Sequence, residues 1–169
     1  MGMRVRNRNN QQKITDLLKK YNLVYNEATG LYDCDGDIKI GKDLVSPDGK
    51  FVIKFGVVKG DFNCRDNYLI SLEGAPQEVG KSFYCYENQL ISLKGSPQKV
   101  GGGFACHHNQ LTSLEGAPQV VGGYFDCHAN KLIFDETHFY GCLPDVIGDE
   151  LVAGKGCDYE LAKNYYDNE

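Results

Sequence analysis

One pattern of eight residues, Phe-x-Cys-x-x-Asn-x-Leu, occurs four times in this chain of 169 residues. The copies read FNCRDNYL, FYCYENQL, FACHHNQL and FDCHANKL, and they begin 21 residues apart at Phe62, Phe83, Phe104 and Phe125. Three copies continue in nearly the same words: ISLEGAPQEVG, ISLKGSPQKVG and TSLEGAPQVVG. A fixed period of this length is typical of a solenoid, in which each repeat is one structural unit stacked on the next.

The repeated positions predict a strand followed by a turn. Phe and Cys are two residues apart and the residue between them varies, so both should lie on the inner face of a strand. Parallel stacking places like residues about 4.8 Å apart, which makes each column a continuous core seam. The repeated Asn is expected to be buried and to bond backbone groups where the strand ends. The return segment contains Gly-Ala/Ser-Pro-Gln, and because Pro lacks an amide proton it should be extended or tightly turned rather than helical.

This pattern resembles the leucine-rich repeat, with Phe and Cys where strand leucines are usual. The 21-residue length and the Pro-containing return are similar to the short bacterial type. The segments Leu-Thr/Ile-Ser-Leu-Glu-Gly-Ala-Pro and Val-Gly-Gly-x-Phe-x-Cys are similar to small leucine-rich-repeat proteins encoded by bacteriophages. The resemblance covers about residues 58–134. It implies a β-rich solenoid, a leucine-rich-repeat stack of parallel strands that line a concave binding face.

The segments on either side of the repeats are interpreted as caps, because a solenoid end exposes core residues and an unpaired strand edge. Residues 1–57 should hold a helix at about 10–21, a hairpin, and a degenerate first repeat at 37–40 that resembles 61–64. Residues 58–134 hold the four repeats, and residues 135–169 should form an irregular C-terminal cap. Arg4, Arg6 and Arg8 are interpreted as a solvated basic arm, with contact to an acidic partner or nucleic acid as the alternative.

Composition excludes several classes of protein. The formal net charge of −5 and the pI near 5.4 argue against general affinity for nucleic acids or anionic membranes. The sequence has no apolar run approaching about 18 residues, which predicts no transmembrane span. The N-terminal arginines are not followed by an apolar stretch, so we expect no secretory signal and a cytoplasmic protein.

The chain contains seven cysteines, and four of them occupy the inward column of the repeat. We expect these four to be buried thiols rather than disulfides. Cys106, His107, Cys127 and His128 are residue types that bind zinc. However, the cysteines should face the core and the histidines the outside, so the four should not converge on one ion; the two stacked histidines alone could share a weakly held surface ion.

The sequence has no nucleophile elbow, phosphate loop or zinc-protease motif, so we predict no catalytic residue, no cofactor and no metal site.

Positions that vary between repeats should project outward from the strands and form the binding surface. Tyr and Arg are frequent interface anchors, since they combine large contact area with a polar group. The alternative is that the tyrosines only pack across neighbouring strands. The predicted partner-binding residues are Arg65, Tyr84, Tyr86, His107, His108, Tyr124, Asp126 and His128.

These features together predict a non-enzymatic protein-binding module. The phage resemblance implies that such a module binds and inhibits a host enzyme or defence protein in the bacterial cytoplasm. A structural or assembly protein, or a homo-oligomer that associates through an end of the solenoid, is the first alternative. A nucleotide or nucleic-acid binder that uses Arg65, the histidines and the basic arm is the second, and the acidic charge balance disfavours it.

Overall fold

The computed structural model of the protein describes residues 2–132, 146–148 and 151–152, with side chains described for residues 11–132 and 147–148. The predicted C-terminal cap, residues 135–169, therefore lies outside the described residues except for two short strands. Among the residues described, no helix combines the length and the apolar character needed to cross a membrane.

The chain begins with one α-helix, α1 (Gly2–Lys20). It starts earlier than the predicted 10–21, so the backbone of Arg4, Arg6 and Arg8 is helical. The segment between Gly2 and Lys20 contains no Pro or internal Gly that would stop a helix. At its C-terminal end Leu17 is buried, and the Tyr21 hydroxyl donates to the Lys39 carbonyl at 2.7 Å, which attaches the helix to the first coil.

An antiparallel hairpin follows, made of β1 (Val24–Asn26) and β2 (Leu31–Cys34) around a turn at residues 27–30. After an intervening short strand, β3 (Ile38–Lys39), the chain forms β4 (Phe55–Val58), which pairs in parallel with β2 through an irregular register. The hairpin therefore covers a sheet edge that would otherwise present unpaired backbone groups. A short 3-10 helix, Lys42–Leu44, and a bend at residues 46–50 occupy the longer first repeat.

The repeats build two parallel sheets. Among the described residues the first, called here the Phe sheet, has six strands. They are β3 (Ile38–Lys39), β5 (Phe62–Asn63), β7 (Phe83–Tyr84), β9 (Phe104–Ala105), β11 (Phe125–Asp126) and β13 (Leu151–Val152). Their spatial order is β13-β11-β9-β7-β5-β3. Like residues pair across it, Phe62 with Phe83 and Phe83 with Phe104. The degenerate first repeat joins in the same way, since Ile38 pairs with Phe62.

The second sheet, called here the Val sheet, has seven strands within the part of the chain that the structure describes. Besides β1, β2 and β4 it contains β6 (Glu78–Val79), β8 (Lys99–Val100), β10 (Val120–Val121) and β12 (Val146–Ile147). Their spatial order is β1-β2-β4-β6-β8-β10-β12. The return segment was expected to be extended or tightly turned, and part of it forms this sheet. Each repeat thus contributes one short strand to each of two sheets, and the fold is a parallel β-solenoid with a helix at its N-terminal end.

The core lies between the two sheets. The four repeated phenylalanines are fully buried, and successive rings stack with centroids 5.3–5.5 Å apart and planes within 7°. The cysteines of the repeat are buried as predicted, and no disulfide joins cysteines within the described residues. Burying one such phenyl ring contributes about 1.5–3 kcal/mol. No single repeat could enclose its own ring, so the core depends on stacking.

Candidate binding face

The outer face of the Phe sheet carries the non-repeating side chains. The structure brings all eight predicted partner-binding residues into one connected surface, because each contacts at least one other member. The contacts are Arg65 with Tyr86, Tyr86 with Tyr84 and His107, Tyr84 with Tyr124, His107 with His108 and His128, and Asp126 with His107 and His128. We call these eight residues the outer face.

A ladder of flat side chains runs along the outer face at the position after each repeated cysteine. Tyr86 stacks on His107 with ring centroids 4.4 Å apart, and His107 stacks on His128 at 4.7 Å. The planes are within 13° of parallel. At the other end the Arg65 guanidinium lies 5.4 Å from the Tyr86 ring centroid and donates to its hydroxyl. The spacing is close to that of neighbouring strands, so the sheet itself sets the stack.

A tyrosine pair forms the second part of the outer face. The ring of Tyr124 lies over Gly103, the residue at the same position one repeat earlier, where a Cβ atom would collide with it. Because Gly103 leaves that space open, the Tyr124 side chain extends across the neighbouring strand toward Tyr84. Burial raises the pKa of the Tyr124 hydroxyl, and the neighbouring Tyr84 adds to the effect. Gly103 and Tyr124 occupy the same position in successive repeats. This exchange of glycine for tyrosine is the sequence signal that could have predicted the contact.

The position after the ladder has a different backbone from the one expected. Asp66, Glu87, His108 and Ala129 differ between repeats, which predicts outward strand positions, but each has a positive φ of 51–54°. The Phe sheet strands are only two residues long, so the chain has already left the strand at this point. The left-handed conformation turns the chain so that the buried Asn can bond both its own coil and the previous one. His108 consequently lies on the bend beside the ladder and is exposed.

Asp126 sits between two imidazoles. Its Oδ1 lies 2.6 Å from His128 Nδ1 and also accepts the His128 backbone amide at 3.2 Å, while its Oδ2 lies 3.1 Å from His107 Nδ1. Burial lowers the pKa of His107, which the Asp126 carboxylate partly opposes and the other two histidines reinforce. Sequence reasoning placed His107 and His128 as stacked neighbours but did not connect Asp126 to them. The spacing of two residues places Asp126 on the same face of the strand as His128, whereas its contacts with the two imidazoles depend on side-chain rotamers.

The cysteines do not take part in the outer face. Cys106 and Cys127 are buried on the opposite side of the strands, as the repeat predicted. Burial raises the pKa of the Cys106 thiol, so it stays protonated. A Cys₂His₂ arrangement is therefore not formed by these residues.

No protein-family model, no curated protein and no solved structure matches this chain. The resemblance to leucine-rich repeats and to phage proteins stays a prediction.

Proposed function

We propose that the protein is a non-enzymatic module that binds a partner protein on the outer face of the Phe sheet. This proposal rests on the division of each repeat into inward-facing and outward-facing positions. The recurring Phe and Cys side chains of its strands are buried, whereas the non-recurring side chains of the same strands and the turns after them form one connected outer face of tyrosine, histidine, arginine and aspartate.

The chemistry of the outer face suits protein recognition. Tyr84, Tyr86 and Tyr124 offer broad ring surfaces with hydroxyl groups, and Arg65 offers a cation at the edge. Ladder stacking and backbone pairing hold these groups before a partner arrives, so little side-chain entropy remains to be lost on binding. The phage resemblance supports the narrower proposal that the partner is a bacterial enzyme or defence protein in the cytoplasm and that binding blocks it.

Affinity capture from bacterial lysate tests the proposal. Wild type is compared with Arg65→Ala/Tyr86→Ala, which removes the cation–tyrosine pair from the outer face. The matched control is Lys42→Ala/Tyr68→Ala, because Lys42 Nζ also lies over a tyrosine ring, 4.4 Å from its centroid, but on the turn beyond the strands. We expect the same partner with wild type and control, and at least about tenfold weaker binding, 1.4 kcal/mol, with the outer-face variant.

Two further measurements separate the alternatives. Measuring the mass in solution over a range of concentrations detects a homo-oligomer. If the mass rises with concentration and is lower in the outer-face variant, the partner at the outer face is a second copy of this chain and not another protein. Absorbance at 260 nm and 280 nm of the purified protein detects bound nucleotide or nucleic acid. If wild type, control and outer-face variant capture the same partner in equal amounts, the outer face is not the binding surface.

A further inference from the structure

Three metal-ligating side chains converge on the outer face, and they were not predicted as a site. One ligand atom from each of His107, Asp126 and His128 lies within 4.8 Å of the other two. We propose that they form a binding site for one divalent transition-metal ion, such as Zn²⁺, Co²⁺ or Ni²⁺. This inference does not depend on the proposed partner protein, since the three ligands belong to one chain.

The spacing of the ligand atoms fits a single ion. The carboxylate oxygens are 2.6 Å and 3.1 Å from the two imidazole nitrogens. Donor atoms bound at about 2.1 Å to the same ion are separated by roughly 3 Å when they are adjacent in its coordination shell. Because an imidazole nitrogen binds a metal in the plane of its ring and the two rings are stacked within 11° of parallel, both rings must turn toward Asp126 to share the ion.

An unsatisfied nitrogen points to a ligand at this place. His107 Nδ1 is enclosed, and among the described residues it has no hydrogen-bond partner in suitable geometry, although Asp126 Oδ2 is 3.1 Å away. A buried polar atom without a partner destabilises a fold. A metal ion between His107 and Asp126 would take up the nitrogen lone pair and remove that penalty.

The fold holds the three ligands before any ion binds. His107 is packed between Tyr86 and His128 in the ladder, with centroid distances of 4.4 Å and 4.7 Å. Asp126 belongs to β11, in register with Ala105, and it also accepts the His128 amide. These contacts keep the three side chains adjacent, so a turn of the two rings is the change that coordination requires.

The donor set selects the class of ion. Two imidazole nitrogens and one carboxylate favour zinc and other first-row transition metals over Mg²⁺ or Ca²⁺, which prefer oxygen ligands. Three protein ligands leave positions open for water or for a donor from another molecule. The buried thiols of Cys106 and Cys127 lie on the other side of the strand and supply no ligand.

Cobalt titration tests the site on the full chain after treatment with a chelator. Co²⁺ is followed by its visible absorption and Zn²⁺ by calorimetry, with Mg²⁺ as the ion that should not bind. We expect one Co²⁺ per chain for wild type. Asp126→Asn and His128→Gln should each weaken binding by at least about 100-fold, as the loss of a direct ligand exceeds the effect of an outer-shell change.

The matched control is His108→Gln. Its ring touches both His107 and His128 edge-on, at 5.5 Å and 5.2 Å, but it is not one of the three ligands. The proposal requires near-wild-type affinity in this variant. Thermal unfolding of every variant without metal checks that the fold persists, and His128→Gln serves if Asp126→Asn does not fold.

Three results would overturn the proposal. The first is wild-type protein that binds no Co²⁺ or Zn²⁺, and the second is equal weakening by His108→Gln and His128→Gln. The third is a strong near-ultraviolet absorption from thiolate bound to cobalt, which would place the ion on cysteines instead.

Discussion

The side-chain amide of Asn88 donates to the carbonyl of Cys64, in the preceding coil, at 3.1 Å. The same nitrogen donates to the Cys85 carbonyl in its own coil at 3.0 Å. The side-chain oxygen of Asn88 accepts hydrogen bonds from the backbone amides of Asn67 and Leu69 at 3.1 Å and 2.9 Å. One side chain thus replaces the backbone ladder at the point where two successive strands end, and Asn109 repeats the contacts to the carbonyls one coil further on.

Asn88→Ala is predicted to destabilise the protein by about 3 kcal/mol or more, because several buried backbone groups lose their partner at once. Gln89→Ala is the control, since Gln89 is exposed and its replacement should change the free energy of unfolding by less than about 0.5 kcal/mol. Urea denaturation measures both. Similar midpoints for the two variants would mean that water replaces the amide without loss.

Gly101→Ala is predicted to destabilise the solenoid by about 1–3 kcal/mol through overpacking. A Cβ at this position would collide with the carbonyl of Gly80 in the coil before, and that atom is backbone that cannot move aside. Gly36→Ala is the matched control, because a Cβ there meets nothing within 4 Å. Thermal denaturation should separate the two variants, and equal melting temperatures would show that the coils are spaced more widely than the structure has them.

Glu87→Gly is predicted to stabilise the protein by about 0.5–1 kcal/mol. Glu87 has a φ of 54°, a conformation that costs a residue with a Cβ about 1–2 kcal/mol, and glycine relieves this while losing some entropy on folding. Glu87→Ala keeps the strained backbone and removes only the exposed carboxylate, so it should leave stability almost unchanged. Denaturant titration of both variants checks the sign, and a less stable glycine variant would contradict the prediction.

Alkaline pH is predicted to weaken the fold through the buried thiols. Burial raises the pKa of Cys64 and of Cys85 well above the value of an exposed thiol. Above about pH 8.5 the unfolded chain loses these protons while the native protein keeps them. Stability is therefore full below that pH and falls above it, by about 1.4 kcal/mol per pH unit for each thiol.

Cys85→Ala isolates this effect. We expect its free energy of unfolding to be lower than that of wild type at pH 7, because a buried group is lost, but to decline less steeply above about pH 9. Urea titrations at several pH values measure the two slopes. Parallel slopes would show that the Cys85 thiol ionises as readily in the folded protein as in the unfolded chain.

Much of the fold was predictable because the same pattern of inward-facing and outward-facing residues occurs in all four repeats. Phe62 and Cys64 have the period of a strand, and a column repeated at one spacing admits only stacking in register. The Val sheet was not predicted. Strands such as Glu78–Val79 are two residues long, which is too short to produce a pattern of alternation.

The candidate site was predictable as a set of residues but not as an arrangement. Variation at Tyr86, His107 and His128 marked them as outward-facing, and the structure connects them as a ladder. The place of Asp126 between the two imidazoles depends on side-chain rotamers, which the order of residues along the chain does not specify. The contact of Tyr124 with Tyr84 depends likewise on the space above Gly103.

Local periodicity was enough to predict the solenoid, its buried phenylalanines and thiols, and the columns that face outward, because a residue's distance along the chain sets which face of a strand it occupies. Two features emerged only when the coils were placed against one another. The return segments pair as a second sheet, and His107, Asp126 and His128 converge. Both depend on atoms from different coils meeting in space, and such contacts arise from packing between repeats rather than from any pattern within one.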